Sequence, residues 1–269
     1  MPRAHAPTVL CKTLVLLVVV ALAACDAGSG GATGVTPEGA SAVPALDDFT
    51  GVWIGVGTFE DPEGPAPYSN TLWPEDPPFT EWGAAESKRL MEPEAFTPCS
   101  PTGPVFAMWE IGLFPFQVAQ SPGQLVIVRE TGGMPRRIYT DGRDHPPPDE
   151  IVPTWMGHSI ARWEDDTLVI DTVGTNGRAR AMNGVGSNAI VSADDFKPRL
   201  PASDQLHLIE RWRLLADGQI LEDELTIIDP KTYTEPIVVK HVFQRRPDIE
   251  MLEYSCTENA RTADETLSR

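Results

Sequence analysis

The sequence predicts an all-β fold, an antiparallel meander that closes into a barrel, with a Pro-rich wrapping segment that carries one short helix. The clearest sign is Gly157–Val173, GHSIARWEDDTLVIDTV, two strand-like runs facing each other across an acidic turn. Ser159, Ala161 and Trp163 share one face of the first run, with His158, Ile160 and Arg162 on the other. Leu168 and Ile170 then alternate with Val169 and Asp171, the period of two that a half-buried strand requires. A second sign is that such runs recur from Val105 onward at a spacing of about a dozen residues, which favours a sandwich or barrel over an α/β fold. The third is an exclusion. Residues 60–105 hold ten prolines, which cannot donate to a ladder and so rule out a central strand there.

The chain opens on an address. Arg3 and Lys12 make a basic start, and Leu14–Leu22 is apolar throughout, roughly half the length a helix needs to span a bilayer. Residues 1–24 therefore read as a signal peptide. Its end, Leu22-Ala23-Ala24-Cys25, resembles a bacterial lipobox, which implies cleavage before Cys25 and lipidation of that residue. Several acyl chains hold a protein to a membrane where one alone is marginal. Residues 25–45 are almost wholly Gly, Ala, Ser, Thr and Pro and read as a flexible tether, leaving 46–269 as a single β-barrel domain.

Charge and cysteines narrow the setting. The net charge of −18 becomes −20 once Arg3 and Lys12 leave with the signal. That acidity argues against nucleic acid, which demands clustered Lys and Arg, and against attraction of the folded part to anionic lipid. With Cys11 in the signal and Cys25 as the lipid site, Cys99 and Cys256 remain as a pair in an oxidising export compartment, and a disulfide between them is expected. Closing so long a loop is worth about 4–5 kcal/mol in the chain-entropy model. Neither cysteine has a Cys or His within the two to four residues that zinc sites normally require.

In chain order, Asp48–Trp53 opens the first strand, and its Gly51-x-Trp53 resembles the first-strand motif of lipocalins and related barrels. That resemblance implies a lipocalin-like barrel with the Trp packed under its floor. Thr80 can cap a short helix over Glu81–Met91 with Trp82, Ala85 and Leu90 inward. Phe106–Gln120 leads to a turn at Ser121-Pro122-Gly123, after which Leu125, Ile127 and Arg129 alternate with Val126, Val128 and Glu130. Arg136–Thr140 precedes the central hairpin, where Asp165-Asp166 closes the turn because Asp tolerates a left-handed backbone. Asn176–Ser203 reads as a long rim loop. Leu206–Leu215 turns at Asp217-Gly218 into Ile220–Asp229, which turns into Pro236–Arg245, and Pro247-Asp248 turns into a last strand over Met251–Cys256.

Together these segments carry a second resemblance. Cys99-x-Pro101-x-Gly103-Pro104, Arg137-Ile138-Tyr139-x-Asp141-Gly142-Arg143-x-His145-Pro146, Gly157-His158-Ser159-Ile160 and Trp163-Glu164-x-Asp166-Thr167-Leu168-Val169 resemble an uncharacterised family of exported bacterial proteins. Glu210-Arg211-Trp212 and Cys256-x-Glu258-Asn259 complete the pattern, which spans most of residues 48–259. Asp165 stands where that family usually has Gly in its turn. The resemblance implies a shared folding unit and brings no chemistry with it.

The chemistry has to come from the residues. Gly157-His158-Ser159-Ile160-Ala161 approaches the hydrolase elbow G-x-S-x-G, but Ala161 replaces the last Gly and a strand follows where the elbow needs a helix. His145, His158, His207 and His241 survive processing, none at a metal-ligand spacing from another. His241 sits on the apolar face of its run, Glu210 shares a face with Leu206, Leu208 and Trp212, and Asp223 lies with Leu221 and Leu225. Structural ion pairs with Arg137, Arg143 or Arg211 are the simplest account of the buried carboxylates.

If His158, His241 and Glu210 converge, they form a candidate catalytic acid–base set, with Arg137 or Arg143 orienting a carboxylate or carbonyl. Arg137, Arg143, His145, Trp163 and Trp212 are the candidate ligand contacts. Three functional readings follow: a membrane-tethered exported barrel that binds a small apolar or amphipathic molecule; an isomerase, lyase or hydrolase in the same cavity; and a structural factor with a filled interior. None invokes a cofactor or a metal.

Overall fold

A computed structural model gives the structure of the chain and describes residues 49–57, 63–71, 73–90, 92, 101–107, 114–131, 134–179, 182–183 and 199–255. All of these belong to the unit Ala42–Arg269. The signal segment, the tether, Cys25, Cys99 and Cys256 lie outside the described residues, and so do the lipidation and disulfide expected at those cysteines.

Nine strands close into a barrel in the order β1-β11-β10-β9-β6-β5-β4-β3-β2. They are β1 (Gly51–Gly55), β2 (Phe116–Ser121), β3 (Gln124–Arg129), β4 (Arg136–Tyr139), β5 (His158–Glu164), β6 (Thr167–Val173), β9 (His207–Leu215), β10 (Ile220–Ile228) and β11 (Ile237–Arg245). The remaining pair, β7 (Met182–Asn183) and β8 (Arg199–Leu200), forms a separate ladder inside the stretch expected to be loop. The all-β barrel stands as the sequence indicates, with three corrections.

First, the meander is not antiparallel throughout, because β4 and β5 pair in parallel, Ile138 with Ser159 and Tyr139 with Ile160. Strands around a closed ring cannot alternate in direction everywhere when their number is odd, so nine strands require one such pair. Residues 140–157 make the return, lying over the outer face of β5 and β6, with Asp144 on Arg162 (2.5 Å) and Thr154 bridged to Thr175. Second, residues 251–255 form no strand. The edge of β11 is already taken by β1, Trp53 opposite Arg245, which leaves no edge to extend. Third, the run from Phe106 is not a strand at its start: α2 (Pro104–Ala107) is a helical turn, and β2 begins only at Phe116.

Helix α1 (Glu81–Leu90) begins where Thr80 caps it, its Oγ1 accepting the Gly83 N–H at 3.0 Å. It buries Gly83 and Ser87 rather than Trp82, Ala85 and Leu90. A Cβ at Gly83 would run into the Thr232 carbonyl oxygen, so the helix approaches the β10–β11 loop through its backbone and bulky side chains are kept out. Trp82 instead lies beneath the Lys231 ammonium, 4.8 Å from its ring centre.

The ends of the barrel differ. At one, Trp53 is fully buried, donates from Nε1 to the Phe49 carbonyl (2.9 Å), and carries the Arg245 guanidinium 4.4 Å above its ring. Arg245 also donates to the Gly218 carbonyl (2.7 Å) and to that of Thr50, tying β11 to the β9–β10 turn and the start of β1. This is the floor. At the other end the β10–β11 loop is fastened by buried Asp229, which accepts from Ser203 N (2.7 Å), Ser203 Oγ (2.6 Å) and Thr232 Oγ1 (2.8 Å). Among the described residues no helix is long and apolar enough to cross a membrane.

Candidate functional site

Strand alternation sorts the polar residues onto the two sides of the wall. Inward, Arg136 is the central cation. Its guanidinium donates to Glu210 through both Nη1 (2.8 Å to Oε1) and Nη2, and also reaches Thr172 Oγ1 (2.9 Å) and Ser159 Oγ (3.3 Å). Arg136 is 2% exposed and Glu210 0%. A fork-to-fork pair supported by further hydrogen bonds to Thr172 and Ser159 is the kind of arrangement in which a buried charge pair is tolerated.

One layer nearer the floor, Trp212, Asp223 and His241 sit opposite one another on β9, β10 and β11. Burial first, and then the Glu210 carboxylate, push the Asp223 carboxyl well above the ordinary carboxylate range, while Arg136 and the Trp212 N–H pull the other way. Neither oxygen of Asp223 closes a hydrogen bond of normal geometry. Trp163 joins this level, stacked on Phe49 at 5.7 Å, and Phe49 also packs on Trp212 at 5.6 Å.

Outward lies a different cluster. His145 Nδ1 is 2.8 Å from His158 Nδ1, His145 Nε2 is 3.0 Å from Asp171 Oδ1, and His207 Nε2 is 3.0 Å from the same oxygen. Gly157 makes the entry to this wall possible. It has φ +70°, and a Cβ there would press on the Val173 carbonyl 2.6 Å away, so only Gly lets β5 start this close to β6. Tyr139 packs beside His158 with ring centres 5.2 Å apart, and Arg143 covers Tyr139 at 3.9 Å. Burial first, then the charges of His145 and Arg143, hold the His158 imidazole below its ordinary value.

The candidate residues therefore divide. Glu210, His241, Trp163 and Trp212 face the interior, whereas His158, His145 and Arg143 belong to the outer wall and Arg137 is exposed. His158 is not brought together with Glu210 and His241. Sequence reasoning missed Arg136 as the partner of Glu210, although it sits two residues before apolar Ile138 and so shares its inward face. Asp171 was also missed as the partner of His145, and His207 as the second partner of Asp171. They meet through the β6–β9 register, Asp171 opposite Ile209, which no local pattern reveals. Among the described residues no group of His, Cys, Asp or Glu is arranged to hold a metal ion.

A third feature is an apolar pocket at the end of the barrel opposite the floor. It is narrow, a cavity of about 20 Å³ that opens to solvent between walls that include Trp73, Val105, Leu200, Leu206, Ile227 and Tyr233. Tyr233 is fixed by its hydroxyl, which donates to the Pro201 carbonyl at 3.1 Å. No family model and no curated protein matches this chain.

Proposed function

We propose that this is an exported, lipid-anchored protein whose barrel binds a small apolar or amphipathic molecule at its mouth. The observation that carries the reading is the apolar pocket itself, because barrel mouths lined by aliphatic and aromatic side chains are a recurrent place for small ligands. The Trp73 and Tyr233 rings present flat apolar surface, and the alternating buried strands behind them supply a rigid wall. An amphipathic ligand would seat its apolar part here and leave its polar end at the opening. The anchor rests on Cys25 directly ending the apolar run, and mass spectrometry of the processed amino terminus tests it.

The test of ligand binding uses the full chain from its own host. Native mass spectrometry is expected to show a co-purified apolar mass, and the neutral dye N-phenyl-1-naphthylamine should bind with enhanced emission. Ala202 lines the pocket and is only half-buried, so Ala202→Trp fills the space without opening the core. It should lower dye affinity about tenfold or more, the equivalent of about 1.4 kcal/mol. A chain that carries no apolar mass and binds the dye no better than Ala202→Trp does would overturn the reading.

A further inference from the structure

We propose that His158 is a general base on the outer wall of the barrel, supported through His145 by Asp171, and that it hydrolyses small uncharged acyl esters. With His145 and His158 both neutral, as at a pH above their titration, the hydrogen bonds fix the tautomers. A carboxylate only accepts, so His145 Nε2 and His207 Nε2 both donate to Asp171 Oδ1 across their 3.0 Å contacts. A neutral His145 that donates from Nε2 has a bare Nδ1, so the hydrogen in the 2.8 Å contact between the two Nδ1 atoms belongs to His158. His158 Nε2 then keeps its lone pair. Among the described residues the hydrogen bond of His158 runs through Nδ1, and its ring is half-buried.

The row Asp171, His145, His158 has the logic of a carboxylate-oriented base with one more imidazole inserted. Water attacks the acyl carbon while His158 Nε2 takes its proton. The acyl C–O bond breaks, and the departing oxygen receives the proton back, giving a carboxylic acid and an alcohol. As Nε2 gains its proton, the Nδ1 hydrogen of His158 passes to His145 Nδ1. The positive charge then rests on His145, against Asp171, rather than on the ring nearer Arg143.

The surroundings favour an uncharged substrate. The nearby cations are already paired, Arg143 with Asp141 at 2.5 Å and Arg162 with Asp144 at 2.5 Å, so neither is left to draw in an anion. This site is on the opposite side of the wall from the interior and does not depend on the ligand pocket.

The probe is p-nitrophenyl acetate with the full chain, read as p-nitrophenolate release. His158→Gln should lower the rate about a hundredfold, in the range a general base supplies. Asp171→Asn should lower the rate and move the midpoint of its pH profile downward, because the imidazolium on His145 loses its counter-charge. Nitrogen-15 NMR of the unmodified protein gives a readout that needs no variant: His158 should be the Nδ1–H tautomer and His145 the Nε2–H tautomer. An Nε2–H tautomer at His158, or a rate that His158→Gln leaves unchanged, would overturn the proposal.

Discussion

Replacing Glu210 by Gln removes one charge from the interior pair while keeping its shape, and the effect should depend on Asp223. Arg136 and Glu210 are both sealed from water, and stripping one partner from such a pair costs about 3–5 kcal/mol. Asp223, however, is raised by burial and by Glu210 and lowered by Arg136. With Glu210 neutral, one raising influence disappears and the lowering one remains, so Asp223 ionises more readily and can serve as counter-ion. Its sign is clear in the parent protein. The folded-state pKa lies above the unfolded one, so the group's contribution is complete below roughly pH 4 and drains away as pH rises toward the folded value, by about 1.4 kcal/mol per pH unit. Glu210→Gln brings the folded value down and reduces that drain. Urea unfolding followed by tryptophan fluorescence should therefore show the full cost near pH 5 and a smaller one near pH 8, and adding Asp223→Asn should abolish the difference. A cost under about 1 kcal/mol near pH 5, or one that does not vary with pH, refutes the account of the interior charges.

Two further outcomes test the framework around the sites. Gly83→Ala would raise helix propensity by about 1 kcal/mol, yet the new Cβ meets the Thr232 carbonyl, so a net loss of about 1–3 kcal/mol in urea unfolding is expected, and a more stable variant would mean the helix does not lie so close. Asp229→Ala leaves the buried Ser203 and Thr232 donors without their acceptor and should cost about 3 kcal/mol in the same assay, with the β10–β11 loop exchanging amide hydrogen faster than β9; equal protection would count against its role as a fastener.

Much of the barrel is legible in the sequence because strands half-buried in a wall must alternate. The hairpin of β5 and β6 pairs Glu164 with Thr167 around Asp165, whose φ of 55° is the left-handed turn its sequence allows. The boundaries of β9, β10 and β11 fall within a residue or so of the expected runs. What escaped is non-local. The Met251–Cys256 run looks like a strand, but no edge is left for it once β1 has closed on β11. The inward residues of α1 were chosen for bulk, whereas close backbone approach selected Gly83 and Ser87. His158 and Glu210 were grouped by chemistry, although the opposed alternation of Ser159 and His158 already places the imidazole on the far side of the wall.

The parallel seam between β4 and β5 has a chemical result. Had the barrel an even number of staves, each could return by a tight bend, and nothing would need to travel back along the outside. The odd stave forces an overpass, and that overpass is what carries His145 to a place where it bridges His158 and Asp171. The topology of closure thus supplies the middle link of the outer relay, and an even-numbered relative built from the same strands would lose it.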